Sequence, residues 1–177
     1  MVLALLSGYF ISIVWMFVYR YRIVSDRLRI ESKSLSKLYM GRSAGASKDS
    51  IFFTYMNRIN SPEKEIFKAA ISDSVRSATK GLTLLSIVAS TSPFVGLFGT
   101  VVGILESFSR LGAQKSASLS VVAPAISEAL VATAAGIFVA VFAYTFHLVL
   151  KRKAYELNSI LESQADIILA QKREEER

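Results

Sequence analysis

The charged side chains of this 177-residue chain are confined to part of the sequence. Three stretches, residues 1–19, 81–105 and 116–150, contain a single charged side chain, Glu128. About 20 consecutive apolar residues are enough to cross the hydrocarbon core of a bilayer. The pattern predicts an all-α membrane protein with three transmembrane helices, at residues 1–19, 81–106 and 118–150.

The net charge of +7 follows the same division of the sequence. Residues 20–80 hold 13 Lys and Arg and residues 151–177 hold six, whereas residues 106–115 hold two. Because Lys and Arg are retained on the cytoplasmic side of membrane helices, we expect a periplasmic N-terminus and a cytoplasmic C-terminus. No aromatic residues interleave with the basic ones as base stacking requires, so the partner is a lipid bilayer and not a nucleic acid.

The hydrophilic segments predict helices. Residues 20–80 form a predicted cytoplasmic helical region, with a turn or mobile loop at residues 41–45. Ser61 and Pro62 are typical of a helix start, and the pattern after them indicates one helix that continues unbroken into the second span. Residues 107–117 are expected to form a short periplasmic loop.

Residues 151–177 are predicted to form a cytoplasmic C-terminal helix with a charged tail. Leu157, Ile160, Leu161 and Ile168 form an apolar stripe at helical spacing, which is typical of packing. Residues 172–177 are all charged, and we expect them to fray into solvent.

Composition argues against enzymatic chemistry. The chain has no cysteine and one histidine, which excludes a disulfide scaffold, a cysteine nucleophile and a Cys-ligated metal site. The sequence contains no phosphate-binding loop and no nucleophile–base pair. We therefore predict no enzyme, no cofactor and no metal site.

Glu128 is the residue that most requires an explanation. A carboxylate at membrane depth is costly, and such a residue normally faces a cavity or a partner. Two interpretations follow: Glu128 lies on an ion pathway, or it is a protonated hydrogen-bond donor in a non-conducting membrane scaffold. No basic residue occurs in the predicted spans to pair with it.

Small residues line one face of each of the last two predicted spans. Such faces let helices approach closely in a bilayer. Thr133 borders the face of the third span, and a line from it through Tyr144 to His147 indicates a candidate polar path towards a cytoplasmic exit. Two such faces are more than three helices need, so we expect a homo-oligomer. The predicted packing residues are Gly96, Gly99 and Gly103, with Thr100 beside them, and Ala125, Ala129, Ala132 and Gly136.

Two motifs in these spans are similar to a known family. The segments SPFVGLFGTVVGI at residues 92–104 and VAPAISEALVATAAG at residues 122–136 resemble those of the TolQ/ExbB proton-channel proteins, with the flagellar stator protein MotA a more distant relative. The resemblance is dense over residues 82–145. Residues 111–113 and 121–124 place the chain slightly nearer to TolQ.

The resemblance implies an architecture and a function. TolQ and ExbB form pentameric rings in the inner membrane of Gram-negative bacteria, around the single-span helices of a TolR or ExbD dimer. They use the proton-motive force to energise TolA or TonB, in outer-membrane integrity (the Tol-Pal system) or energised uptake. By motif position, Thr100 and Thr133 would face the central channel, and Glu128 would set the electrostatics and hydration of the proton route.

Two departures from the family pattern concern the third span. Phe142 stands where family members usually have a proline, and His147-Leu148 stands where they have a Tyr-Asn pair. A straighter third helix and a different cytoplasmic exit are the expected consequences. The alternatives to a TolQ- or ExbB-type subunit are a MotA-like flagellar stator and the non-conducting scaffold.

Overall fold

The structure, a computed structural model, describes residues 2–40, 47–56, 64–112 and 119–175. These residues form five helices and no strand, which confirms the all-α prediction. The predicted turn at residues 41–45 and the predicted helix start at Ser61 and Pro62 lie outside the described residues. The helices are α1 (Val2–Tyr39), α2 (Ile51–Met56), α3 (Lys64–Ala78), α4 (Leu82–Gly112) and α5 (Leu119–Glu175).

Three of the helical stretches are long and apolar enough to cross a membrane. Their most apolar windows have mean hydropathies of 2.0 in α1, 1.7 in Lys64–Ser109 and 2.1 in Ala123–Glu174. Only 11% of the α1 window is buried in the chain itself. Side chains this apolar and this exposed are typical of a surface that faces lipid or another subunit, so the prediction of three spans is confirmed.

The chain divides into two compact units. The span unit contains residues 1–17 and 81–148, and the hydrophilic unit contains residues 18–80 and 149–177. Both α1 and α5 contribute one part of their length to each unit.

Aromatic side chains join α1 to α5 in the span unit. Phe17 stacks on Phe146, with ring centroids 4.1 Å apart, and the edge of Phe10 meets Phe142 at 5.5 Å. Phe142 also contacts Phe138 at 4.8 Å. Phe142 therefore lies at the centre of an aromatic cluster, where its half-buried ring packs against α1.

The hydrophilic unit has a conventional side-chain core. Leu157, Leu161 and Ile168 of the predicted stripe are buried, and Ile160 is half-buried. The three buried residues pack with Val24 and Leu38 of α1, Phe52 of α2 and Phe67 of α3. The rings of Phe52 and Phe67 meet edge-on at 4.9 Å, so the six-residue helix α2 is held by side-chain packing.

A carboxylate is buried in the same unit. Glu31 is 0% exposed and accepts hydrogen bonds from the Ser50 hydroxyl at 2.8 Å, the Ile51 N–H at 2.9 Å and the Gln164 amide at 3.1 Å. The Ile51 N–H belongs to the first turn of α2, which has no intrahelical acceptor. Glu31 therefore joins α1 both to the start of α2 and to α5.

The prediction of one unbroken helix into the second span is wrong. Helix α3 ends at Ala78, and α4 begins at Leu82 after a turn in which Gly81 has a φ of +88°. This left-handed conformation favours glycine and ends a helix. Arg20 donates to the Ser77 carbonyl oxygen in the last turn of α3, which also accepts a turn hydrogen bond from the Lys80 N–H at 3.3 Å.

Two further boundaries differ from the sequence predictions. Helix α4 continues to Gly112, into the segment that was expected to be a loop from residue 107. Helix α5 continues through the charged segment to Glu175, where fraying was expected from residue 172. Lys172 and Arg173 lie in its last turn, and their positive charge favours a helix there because it opposes the helix dipole.

Candidate functional site

Helices α4 and α5 cross with their backbones almost in contact at Gly96 and Gly136. A Cβ atom added to Gly96 would lie 2.7 Å from the Ala132 carbonyl oxygen, and one added to Gly136 would lie 2.6 Å from the Ser92 carbonyl oxygen. Since both distances are well inside van der Waals contact, only glycine fits at this crossing. This is the close approach that small residues allow between membrane helices.

The contact continues along both helices through the other predicted small residues. A Cβ atom on Gly99 would lie 3.0 Å from the Ala132 Cβ, and one on Gly103 would lie 2.9 Å from the Ala129 Cβ. Val2 of α1 also reaches this contact, because its Cγ1 would lie 2.9 Å from the same Gly99 Cβ. The two small-residue faces therefore lie against each other within one chain.

Two threonine hydroxyls meet inside this helix contact. The Oγ1 atoms of Thr100 and Thr133 are 2.5 Å apart, and the Thr100 hydroxyl is 2.9 Å from the Ala129 carbonyl oxygen. Thr100 is 8% exposed in the chain, whereas Thr133 is half-buried. The structure thus brings together two of the three residues predicted to line the pathway.

Glu128, the third of them, lies on the wall of a neighbouring cavity of about 360 Å³ in the span unit. The side chain is exposed. The walls come from the small-residue faces of α4 and α5 and from the first residues of α1. The lining residues are Val2, Leu3, Gly99, Val102, Gly103, Glu106, Ser107, Ala125, Glu128, Ala129 and Ala132.

Glu106 is a second carboxylate on this cavity, and it is not among the site residues predicted from the sequence. It directly follows the uncharged stretch 81–105, as the last residue of the predicted second span, and the sequence pattern alone gives it no role there. Its position three residues after Gly103 was the available signal, because residues at that spacing share a helix face. The cavity therefore presents two carboxylates from two different helices.

The two residues of the predicted cytoplasmic exit have different surroundings. Tyr144 is 58% exposed on α5. His147 is half-buried, and its Nδ1 lies 3.0 Å from the Leu82 carbonyl oxygen at the start of α4. Because a carbonyl only accepts, Nδ1 carries the hydrogen, and His147 ties α5 to the beginning of α4.

The described residues of the cavity bring two carboxylates together but do not form a metal centre. In the part of the chain that the structure describes, no group of three His, Asp or Glu side chains is placed to hold a metal ion. A carboxyl group can take up and release a proton, so the cavity wall carries two groups of the type that proton exchange requires.

Comparisons with known proteins identify the family of this chain and several relatives. The family model that matches residues 44–163 is described as the MotA/TolQ/ExbB proton channel family. The chain is 42% identical over 176 residues to the biopolymer transport protein ExbB-like 1 of Helicobacter pylori, an alignment that covers 97% of this chain and 91% of that protein.

More distant relatives match over shorter segments. The Tol-Pal system protein TolQ of Haemophilus influenzae is 37% identical over 127 residues, which cover 62% of this chain and 56% of TolQ. The biopolymer transport protein ExbB of Xanthomonas campestris is 51% identical over 77 residues, which cover 40% of this chain and 30% of that protein.

Proposed function

This chain belongs to the MotA/TolQ/ExbB proton channel family, and we propose that it is the channel subunit of an inner-membrane motor that energises a TolA- or TonB-type protein. The observation that carries the proposal is the cavity of the span unit, on which Glu128 and Glu106 lie. A carboxylate in an apolar unit is costly unless it has a cavity or a partner, and its presence there favours a role in ion movement.

We assign roles to the residues of the predicted pathway. Glu128 exchanges protons with water in the cavity, and Glu106 adds a second protonatable group on the same wall. Thr100 and Thr133 supply polar groups beside this route, and Tyr144 and His147 form its cytoplasmic end. Each proton that moves down the membrane potential releases about 2.3 kcal/mol per 100 mV, which is the energy available to the motor.

The assembly that we propose is a pentamer around a TolR- or ExbD-like dimer. One surface that supports assembly is the exposed side of α4, where Phe94 is 70%, Phe98 65% and Leu105 65% exposed. A three-span chain cannot enclose a channel alone, so the route is completed by other subunits and by the partner helices. The proposed orientation has the N-terminus in the periplasm and the C-terminus in the cytoplasm.

The test compares Glu128→Gln with Glu128→Asp in a strain that lacks the chromosomal copy. Gln keeps the shape and the hydrogen-bonding capacity but does not titrate, whereas Asp retains a titratable carboxyl group. We expect Glu128→Gln to abolish proton flux through the purified complex in proteoliposomes and the energised phenotype in cells, and Glu128→Asp to retain part of both. Membrane levels and complex formation are measured for each variant as controls.

The result also separates the proposal from the scaffold alternative. A scaffold in which Glu128 only donates a hydrogen bond tolerates Gln, so wild-type flux in Glu128→Gln at normal membrane levels would contradict our proposal. Detergent sensitivity and energised uptake, measured in the same strains, distinguish a TolA-type from a TonB-type partner. Loss of swimming alone would indicate a flagellar stator.

A further inference from the structure

The hydroxyl groups of Thr100 and Thr133 have a defined hydrogen-bond direction. Thr100 has one hydroxyl hydrogen, and the Ala129 carbonyl oxygen, 2.9 Å away, can only accept it. The other carbonyl near this hydroxyl, that of Gly96, lies further away at 3.4 Å. The arrangement that satisfies the short contacts has Thr133 donating to Thr100 and Thr100 donating to Ala129.

A proton relay requires more than two adjacent hydroxyl groups. Each member must receive a proton on one side and release one on the other. The chain from Thr133 through Thr100 ends on an amide carbonyl, which has no proton to pass on. The bond from Thr100 therefore fixes the position of α5 at Ala129 and does not extend a proton path.

Ala129 is held from a second direction by Gly103. A Cβ atom on Gly103 would lie 2.9 Å from the Ala129 Cβ and 3.6 Å from its Cα, so the side chain of Ala129 rests directly on the backbone of α4. Ala129 is 6% exposed. Its carbonyl and its methyl group are thus both fixed by α4, one by a hydrogen bond and the other by packing.

Glu128 is the residue that precedes Ala129 in the sequence, and its side chain lies on the cavity wall. A helix that is fixed at residue 129 also fixes the direction in which the residue 128 side chain leaves the backbone. We infer that Thr100 is a positioning residue that acts through the Ala129 carbonyl to hold Glu128 in the cavity. This inference rests on the proposed function, because it assigns Thr100 a task in the same proton route.

The test uses Thr100→Val, which keeps the shape of threonine and removes the hydroxyl, and Thr100→Ser, which keeps the hydroxyl. In the full complex, we expect Thr100→Val to lower proton flux about tenfold, as a misplaced reacting group does, and Thr100→Ser to restore most of it. Thr145→Val is the matched control, since Thr145 is exposed on α5 and donates only to its own helix, at the Val141 carbonyl.

Two readouts distinguish positioning from a general loss of packing. One is the pH profile of proton flux, and the other is the infrared carboxyl band that disappears in Glu128→Gln. We expect both to shift in Thr100→Val and to stay unchanged in Thr145→Val. An unchanged profile and band in Thr100→Val would overturn the inference.

Thr133→Val separates positioning from a proton relay. It removes the Thr133 hydroxyl but leaves the bond from Thr100 to Ala129, so we expect a smaller loss of flux than in Thr100→Val. Equal losses in the two variants, with the carboxyl band unmoved, would indicate a relay and overturn the inference. Loss of flux in Thr100→Val but wild-type flux in Glu128→Gln would overturn the proposed function itself.

Gly103→Ala provides a second test if Thr100→Val does not accumulate in the membrane. The added methyl group presses on Ala129 from its other fixed side and removes no polar group. We expect the carboxyl band and the pH profile to shift here as well. A band and profile identical to those of the wild type would contradict the claim that Ala129 positions Glu128.

Discussion

Each of the two units contains a notable carboxylate, and the surroundings of the two carboxylates are opposite. In the hydrophilic unit, Glu31 is fully buried, and the Ser50 hydroxyl, the Ile51 N–H and the Gln164 amide all donate to it. In the span unit, Glu128 is exposed on the wall of a cavity. A carboxylate with three donors is held in place as part of the fold, whereas we propose that the one on the cavity wall exchanges protons with water. Burial alone therefore does not identify the functional acid.

The same contrast holds for packing. Phe52 and Phe67 fill the core of the hydrophilic unit with large side chains. In the span unit, α4 and α5 meet instead through glycine and alanine, with backbone against backbone. Helices in a bilayer gain little from burying apolar side chains, because lipid is equally apolar. Close van der Waals packing stabilises their contact instead. The predictions below test whether each unit depends on its own kind of contact.

The largest expected effect on stability is that of Glu31→Ala. The variant leaves the Ser50 hydroxyl, the Ile51 N–H and the Gln164 amide buried without this acceptor, which costs about 3 kcal/mol or more in the free energy of unfolding. For a chain of this size that lowers the thermal midpoint by roughly 6–12 °C in detergent. Proton flux per folded complex should not change.

Glu128→Gln should show the reverse pattern, with the thermal midpoint preserved and the flux lost. Glu162→Ala is the control for removing an acid, because Glu162 is exposed in the same unit as Glu31. The comparison fails if Glu31→Ala shifts the midpoint by no more than this control. It also fails if Glu31→Ala loses flux while the complex remains folded.

The two acids also differ in how far the sequence predicts them. Glu128 is evident because it interrupts an uncharged stretch, and the cost of a charge in a bilayer makes any such residue notable. Glu31 lies among arginines, serines and lysines, where another acid carries no signal. Its burial depends on Ser50 and on Gln164, which is 133 residues away in the sequence, and only the folded structure brings them together.

The membrane spans, like Glu128, could be predicted from the sequence, whereas the ends of the helices could not. Segregation of charge is a property of long segments, so three spans and an all-α fold follow from the sequence. The break at Gly81 depends on the conformation of a single residue, and apolar periodicity does not report it. Glu106 could be predicted in part. The sequence shows that it shares a helix face with Gly103, but the cavity on which it lies forms only when α4 packs against α5.

An intermediate effect is expected for Gly136→Ala. The added Cβ would lie 2.6 Å from the Ser92 carbonyl oxygen and 3.0 Å from the Gly96 Cα, and neither backbone atom can move without shifting a helix. Overpacking of this kind costs about 1–3 kcal/mol, which the thermal midpoint of the complex measures.

Gly8→Ala is the matched control, because a Cβ at Gly8 meets no atom within 4 Å. Alanine is the better helix former by roughly 1 kcal/mol, so this variant should be neutral or slightly stabilising. The opposite signs of the two Gly→Ala changes are the diagnostic result. If Gly136→Ala is also neutral, α4 and α5 are not held by backbone contact.

The smallest effect is expected for the ion pair between Arg152 and Glu156. The Nε of Arg152 lies 3.0 Å from a carboxylate oxygen of Glu156, a distance comparable to those around Glu31. Here, however, the two side chains are 83% and 41% exposed, and they follow each other at i and i+4 with the base first, which is the weaker order in a helix. Exposed pairs of this kind contribute about 0–0.5 kcal/mol.

Arg152→Ala should therefore leave the thermal midpoint within about 2 °C of the wild type, with any small difference reduced further by added salt. Glu156→Ala and the double variant complete a cycle that isolates the pair from other effects of each substitution. A coupling energy above about 1 kcal/mol would mean that exposure does not decide what a carboxylate contributes in this protein. The contrast between Glu31 and Glu128 would then need another explanation, since it rests on the same premise that the surroundings of an acid determine its role.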